Sequence, residues 1–305
     1  MSDVSLGELC ALLAPLSWSV AVILFKRSSA APAISLNLFK NTFGLVLLSI
    51  TMLVLGISIP TDRSGEDWAR LIVSGFLGLA VADTLLFEGL RRIGAARLAV
   101  VDTIYAPMVV LLCWVFLGEQ PNASFVLGGA LVIGGVTLAS VDPSALARDV
   151  GAVAGREARR EVSLGALYAT LAIVGTAIGV VIAKPVLERS DLIEVTWTRL
   201  VAGVIGMIVF TVVRGRGAEA MVAFWPGPLW RTLVPAAFFG TYLSLIFWLG
   251  GFKWADASVA ATLNQMATVY LLVFARYVLK EPLLPRQVVG SLAAAAGALW
   301  IVLHR

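Results

Sequence analysis

The sequence predicts an all-α polytopic membrane protein in which ten transmembrane helices form two inverted five-helix repeats. Three observations predict this fold. First, hydrophobic residues make up 59% of the chain and charged residues 14%, with a mean hydropathy of +0.93. A soluble domain carries about 25% charged residues, so a lipid environment is implied. Second, the apolar runs are continuous and about twenty residues long, the length at which a helix crosses the hydrocarbon; the alternating ten-residue segments of a barrel are missing. Third, the stretch Arg91–Glu119 recurs without a gap at Lys253–Glu281. At this offset of 162, Arg91 falls on Lys253, Ala95 on Ala257, Leu117 on Leu279 and Glu119 on Glu281. The register extends to glycines, pairing Gly78 with Gly240, Gly89 with Gly251, Gly128 with Gly290 and Gly135 with Gly297.

Taken in order, the expected spans of the first half lie near 6–25, 33–57, 69–90, 98–118 and 122–140. Those of the second half lie near 164–187, 193–213, 229–250, 257–279 and 286–303. The halves open on related strings, LGELCALLA at Leu6 and LGALYATLA at Leu164, and Lys26 matches Lys184 at an offset of 158. Like halves with an odd number of spans enter the membrane from opposite sides, which is the pattern of an inverted-repeat carrier. The division is therefore 1–140 for the first repeat, 141–163 for a linker and 164–305 for the second repeat. The linker carries Arg148, Arg156, Arg159 and Arg160 and has room for a short surface helix. Other loops are brief, so neighbouring helices pack antiparallel; Pro60–Asp67 and Arg214–Pro228 are the longer ones.

The net charge of +4 and pI near 9.3 come from Lys and Arg in short loops, where topology accounts for them without nucleic acid. Odd-numbered loops hold 14 of these residues and the even loops with the termini hold 6. The positive-inside rule then places the termini outside. Cys10 and Cys113 sit in apolar runs and read as buried thiols, with neither a disulfide framework nor a metal site. The first apolar run reads as a retained helix, because no basic n-region or cleavage site accompanies it. A lone histidine, His304, and the lack of a phosphate-binding glycine loop or nucleophile elbow argue against an enzyme and call for no cofactor.

The string LRRIGAARLAV entering the fourth span, Pro107 within it and LGEQP leaving it resemble the EamA-type drug/metabolite transporter superfamily. The second half keeps the frame as GGFKWADASVA and LKEPL, with Val269 in place of the proline. The resemblance covers essentially the whole chain. It implies a multi-pass carrier of the bacterial inner membrane with a central cavity and alternating access, of a kind that exports amino acids, aromatic ones included, and related metabolites. A small-molecule substrate and the bilayer are then the partners, a coupling proton is a further candidate, and no oligomer is required. The alternatives are an organic-phosphate or nucleotide-sugar exchanger, or, outside transport, a membrane scaffold or enzyme.

Candidate binding residues are the polar and aromatic side chains inside spans. Each ionisable one costs about 2.5–3.5 kcal/mol at a helix centre on insertion scales, so it should face protein or a cavity. Asp83, mid-span with the apolar mirror Leu245, could meet an ammonium group or take up a proton. Lys40 and Arg199, at equivalent places in the second and seventh spans, could hold a substrate carboxylate or snorkel to the interface. Asp102 and Tyr105 share a helix face, with Asn264 and Gln265 at matching depth in the other half. Trp18, Trp197, Tyr242 and Tyr270 are in-span aromatics that would suit a flat or apolar substrate, or plain packing.

Overall fold

The computed structural model describes residues 5–26, 31–140, 156–278 and 284–304, which are helical almost throughout. In the first half, α1 (Leu6–Lys26) is followed by α2 (Ala33–Leu55), which stops on Gly56 at φ 67°. Only glycine adopts that left-handed cap without a steric penalty. Helix α3 (Gly65–Gly75) starts at Ser64, whose hydroxyl accepts the Asp67 N–H at 3.1 Å. It runs through a π-helical segment, Phe76–Ala82, into α4 (Asp83–Asp102). After a two-residue turn come α5 (Tyr105–Leu117) and α6 (Ala123–Ser140).

The second half opens with α7 (Arg156–Arg189). Next is α8 (Leu192–Val213), whose cap residue Asp191 accepts the N–H groups of Ile193 and Glu194. Short turns at Gly217–Ala220 and Val222–Phe224 lead to α9 (Trp230–Ala237). A π-helical segment, Phe238–Leu243, then passes into α10 (Ser244–Trp254). The chain ends with α11 (Ala257–Asn264), α12 (Ala267–Val278) and α13 (Pro285–Leu303).

Among the described residues, nine helical segments are long and apolar enough to cross a membrane, and α5 is a shorter apolar helix. With α5 completed by the last turns of α4, ten crossings result, and the chain is a multi-pass membrane protein. Its outer surface agrees: Leu53, Val54, Phe116 and Val213 are exposed, as suits side chains that meet lipid.

Three local features differ from the expected layout. Residues 156–163, assigned to the linker, belong to the helix that continues to Arg189, and 141–155 lie outside the described residues. The loop expected at 91–97 stays helical within α4. A straight helix of that length would separate its ends by about 28 Å, yet Asp83 and Asp102 line the same small cavity. Helix α4 therefore bends back on itself. The expected fourth span is broken at Thr103–Ile104, and its counterpart at Gln265–Met266, which is the same place at an offset of 162.

The two halves are related by a two-fold axis, and glycine contacts locate it. A Cβ on Gly135 would fall 2.5 Å from the Gly290 carbonyl oxygen, and one on Gly290 would fall 2.5 Å from that of Gly135. Gly297 lies equally close to Gly128, at 2.6 Å from its carbonyl oxygen. Because Gly290 is the repeat image of Gly128 and Gly297 that of Gly135, each helix presents the same surface to the other, an isologous contact. The early residue of α6 meets the late residue of α13, so these helices are antiparallel, and a two-fold relating antiparallel spans lies in the membrane plane. The same exchange recurs elsewhere. Gly7 abuts Trp254 and Ala255, while Gly165 abuts Arg92 and Ile93. Helix α1 accordingly packs along α10, and α7 along α4. The first helix of each half is thus embraced by the other half.

Candidate functional site

Between the halves lies a cavity of about 250 Å³, and its wall is built from repeat-related pairs. Trp18 and Thr176, Lys40 and Arg199, Leu86 and Trp248, Asp102 and Asn264, and Tyr105 and Ala267 all line it. Both π-helical segments reach it, through Gly78 and Leu79 on one side and Gly240 and Thr241 on the other. So do both mid-span breaks, at Asp102 and at Gln265. Single-turn π segments cluster at functional sites, and discontinuous spans at the repeat interface are where carriers of this architecture bind substrate. The breaks are also tied together: the Gln265 amide donates to the Asp102 carbonyl at 3.2 Å.

The charges on this wall are unequally satisfied. Lys40, 5% exposed, lies about two turns into α2 and donates to Asn41 Oδ1 at 3.0 Å and Asp83 Oδ2 at 3.2 Å. Asn41 in turn donates to Asn37 Oδ1 at 3.2 Å. Arg199 is 2% exposed, its guanidinium 5.5 Å from the Trp248 ring centre, and among the described residues it makes no ion pair. Asp102 faces the cavity at the end of α4, and it too makes no ion pair among the described residues. Three buried polar atoms on the wall, Arg199 Nε, Thr241 Oγ1 and Asn264 Nδ2, have no hydrogen-bond partner among the described residues. A buried donor left unpaired costs about 1–3 kcal/mol, a cost that a polar ligand can offset.

A second, more polar recess of about 540 Å³ lies at the end of the bundle near both termini, lined in part by Glu8, Glu119, Lys184, Lys253 and His304. Here three charged side chains bind backbone across the halves. Lys184 on α7 donates to the carbonyls of Phe252 and Ala255, at 3.0 and 3.1 Å. Lys253 on α10 donates back to those of Leu187 and Ser190, at 2.8 and 2.6 Å. Glu119 accepts the N–H groups of Ala257 and Ser258, at 2.9 and 3.1 Å, capping α11 from outside. Cations on helix C-terminal carbonyls and an anion on a helix N-terminus are each favoured by the helix dipole.

Of the residues singled out from sequence, Trp18, Lys40, Asp83, Asp102, Tyr105, Arg199, Asn264 and Gln265 come together at the central cavity. Three lie elsewhere. Trp197 donates its indole N–H to Ser49 at 2.8 Å, the Tyr242 hydroxyl pairs with Thr51 at 2.8 Å, and Tyr270 packs against the main apolar core. The missed polar and aromatic lining residues are Asn41, Thr176, Thr241, Ser244 and Trp248. The repeat register could have found Trp248 and Thr176 as the images of Leu86 and Trp18. Among the described residues no group of three His, Cys, Asp or Glu is placed to hold a metal.

The comparisons agree with this architecture. The EamA-like transporter family matches residues 5–141 and 163–303. A protein of Streptantibioticus cattleyicolor described as "Probable terminal-alkyne amino-acid exporter" is 27% identical over 300 residues, covering 93% of this chain and 92% of that protein. A crystal structure of a protein superposes with a TM-score of 0.78 over 97% of this chain and 96% of the other, at 18% identity, a likeness of fold. With the repeat register, the in-plane two-fold and the family match over both halves, the chain belongs to the EamA-like transporter family.

Proposed function

We propose that the protein exports small organic metabolites, amino acids foremost, across the bacterial inner membrane by alternating access through the central cavity. The observation that carries this reading is the position of the cavity on the two-fold axis, with its wall drawn in matched pairs from both halves. A site on the axis is presented alike to either side when one half rocks against the other. One chain supplies the whole wall, so no oligomer is needed, and the units of movement are the repeats 1–140 and 164–305. The exporter description of the S. cattleyicolor relative supports amino acids as the class. Trp18 and Trp248 on the wall suit an apolar or aromatic side chain. An organic-phosphate or nucleotide-sugar exchanger would favour paired free cations, whereas Lys40 is already matched by Asp83.

Counterflow in proteoliposomes tests the reading. Purified protein should accelerate uptake of labelled phenylalanine or L-propargylglycine into vesicles preloaded with the same amino acid. Activity for organic phosphates alone, or none above empty vesicles, would overturn it.

A further inference from the structure

We propose that Arg199 and Asp102 are the two poles of a seat for a zwitterion, Arg199 taking the carboxylate of an α-amino acid and Asp102 its ammonium group. This rests on the exporter reading and deepens it, because a pair of opposite vacant charges selects free amino acids over simple anions or cations.

The repeat supplies the argument. Lys40 and Arg199 are images of each other, and so are Asp83 and Leu245. Lys40 has its counter-ion 3.2 Å away; the position that would answer Arg199 in the same way is a leucine. Arg199 is nonetheless 2% exposed, and its Nε has no hydrogen-bond partner among the described residues. On the other side of the balance, Asp102 and its image Asn264 both line the cavity, the second an amide of the same shape without the charge. The cavity thus holds two cations and two carboxylates, of which one pair is self-neutralised and one member of each sign is left without a counter-ion among the described residues. Arg199 is held out of water, where an uncompensated charge is strongly unfavourable, whereas Asp102 stays accessible from the cavity; a ligand carrying both signs meets the two at once. The Trp248 ring lies beside the guanidinium, its centre 5.5 Å away, a contact that leaves the fork of N–H donors available to a carboxylate. A volume of about 250 Å³ admits a single small molecule of this kind.

The test pairs a binding series with thermal stability on the purified full chain. Affinities of L-phenylalanine, its methyl ester (no carboxylate) and its N-acetyl derivative (no ammonium) are read by tryptophan fluorescence. Wild type should prefer the zwitterion by at least about tenfold, the scale of one lost charge-assisted contact. Arg199→Gln should lose that preference over the ester while binding the ester as before. Asp102→Asn should lose the preference over the N-acetyl form in the same way. Each substitution removes an unmatched charge, so the ligand-free variants should melt no lower than wild type, which separates loss of the seat from misfolding. If wild type binds zwitterions but both variants keep their selectivity within about twofold, the seat is wrong and the exporter reading stands. Unchanged zwitterion affinity in Asp102→Asn with loss of pH-gradient dependence would overturn the ammonium pole, assigning Asp102 to a proton. If wild type neither binds nor moves any amino acid, both readings fall.

Discussion

Lys40 reaches from α2 to Asp83 at the junction of the first π-helical segment with α4, Nζ to Oδ2 3.2 Å. The lysine side chain is 6% exposed and the carboxylate 23%. The pair holds the second span against the segment that carries the cavity wall. Asp83→Leu should therefore lower stability by about 3 kcal/mol, because it strands a buried ammonium group. Adding Lys40→Met should recover most of the loss. Thermal unfolding of the two single variants and the double variant in detergent checks this; additive losses would show that the pair is not coupled.

At the terminal end of the bundle, Arg63 meets Glu194 in a two-pronged contact of 2.7 and 2.6 Å, with side chains 4% and 1% exposed. Thr198 also donates to that carboxylate at 2.8 Å. Arg63→Ala should cost about 3–5 kcal/mol by leaving Glu194 buried and unmatched. Arg70→Ala, in an exposed i,i+4 pair with Glu66, should cost under about 0.5 kcal/mol. Equal melting shifts for the two would refute the distinction.

The α6–α13 seam makes a sharper contrast. Gly135→Leu drives a side chain into the Gly290–Ala294 backbone, whereas nothing lies within 4 Å of a Cβ at Gly134. Overpacking there should cost about 1–3 kcal/mol or more, and Gly134→Ala should be silent. Folded yield and monodispersity on gel filtration report both.

Glu119 caps α11 with two backbone N–H groups and the Ser258 hydroxyl, the last at 2.7 Å. Glu119→Ala should cost about 0.5–2 kcal/mol as the loss of a helix cap, and should loosen the terminal recess. A cysteine placed at Val259, which lines that recess, should then react faster with a water-soluble maleimide. Unchanged reactivity would mean that the cap does not close this end.

The repeat was legible in the sequence because a membrane fold tolerates few gaps in its helices, so Gly128 and Gly135 kept their distance from Gly290 and Gly297. Ionisable residues inside spans were legible for a similar reason: lipid makes each of them expensive, and six of the charged or amide residues so chosen do line the cavity. Rotation about a helix axis was not. Lipid and protein interior are both apolar, so hydropathy carries little phase, and Trp197, Tyr242 and Tyr270 gave no sign that they turn away. Depth was read only coarsely: by sequence Lys40 and Arg199 could equally snorkel to the interface, yet both are buried on the cavity wall. The π-helical segments left no mark, since Phe76–Ala82 is composed of ordinary helix residues. The helical path through 91–97 was hidden by its arginines, which read as a loop.

The glycine seam also bears on ancestry. Where Gly128 meets Gly297 and Gly135 meets Gly290, the two surfaces are one surface used twice. A five-helix polypeptide bearing it could have joined a second molecule of itself inserted the opposite way up, with no new residue required. On that hypothesis, fusion came later, and it released the two copies from being identical. The divergence falls on the wall of the central cavity: Asp83 against Leu245, Asp102 against Asn264. Residues 1–140 and 156–305 made as separate polypeptides should still co-purify from membranes; failure to find each other would mean that the covalent join, rather than the seam, holds the halves together.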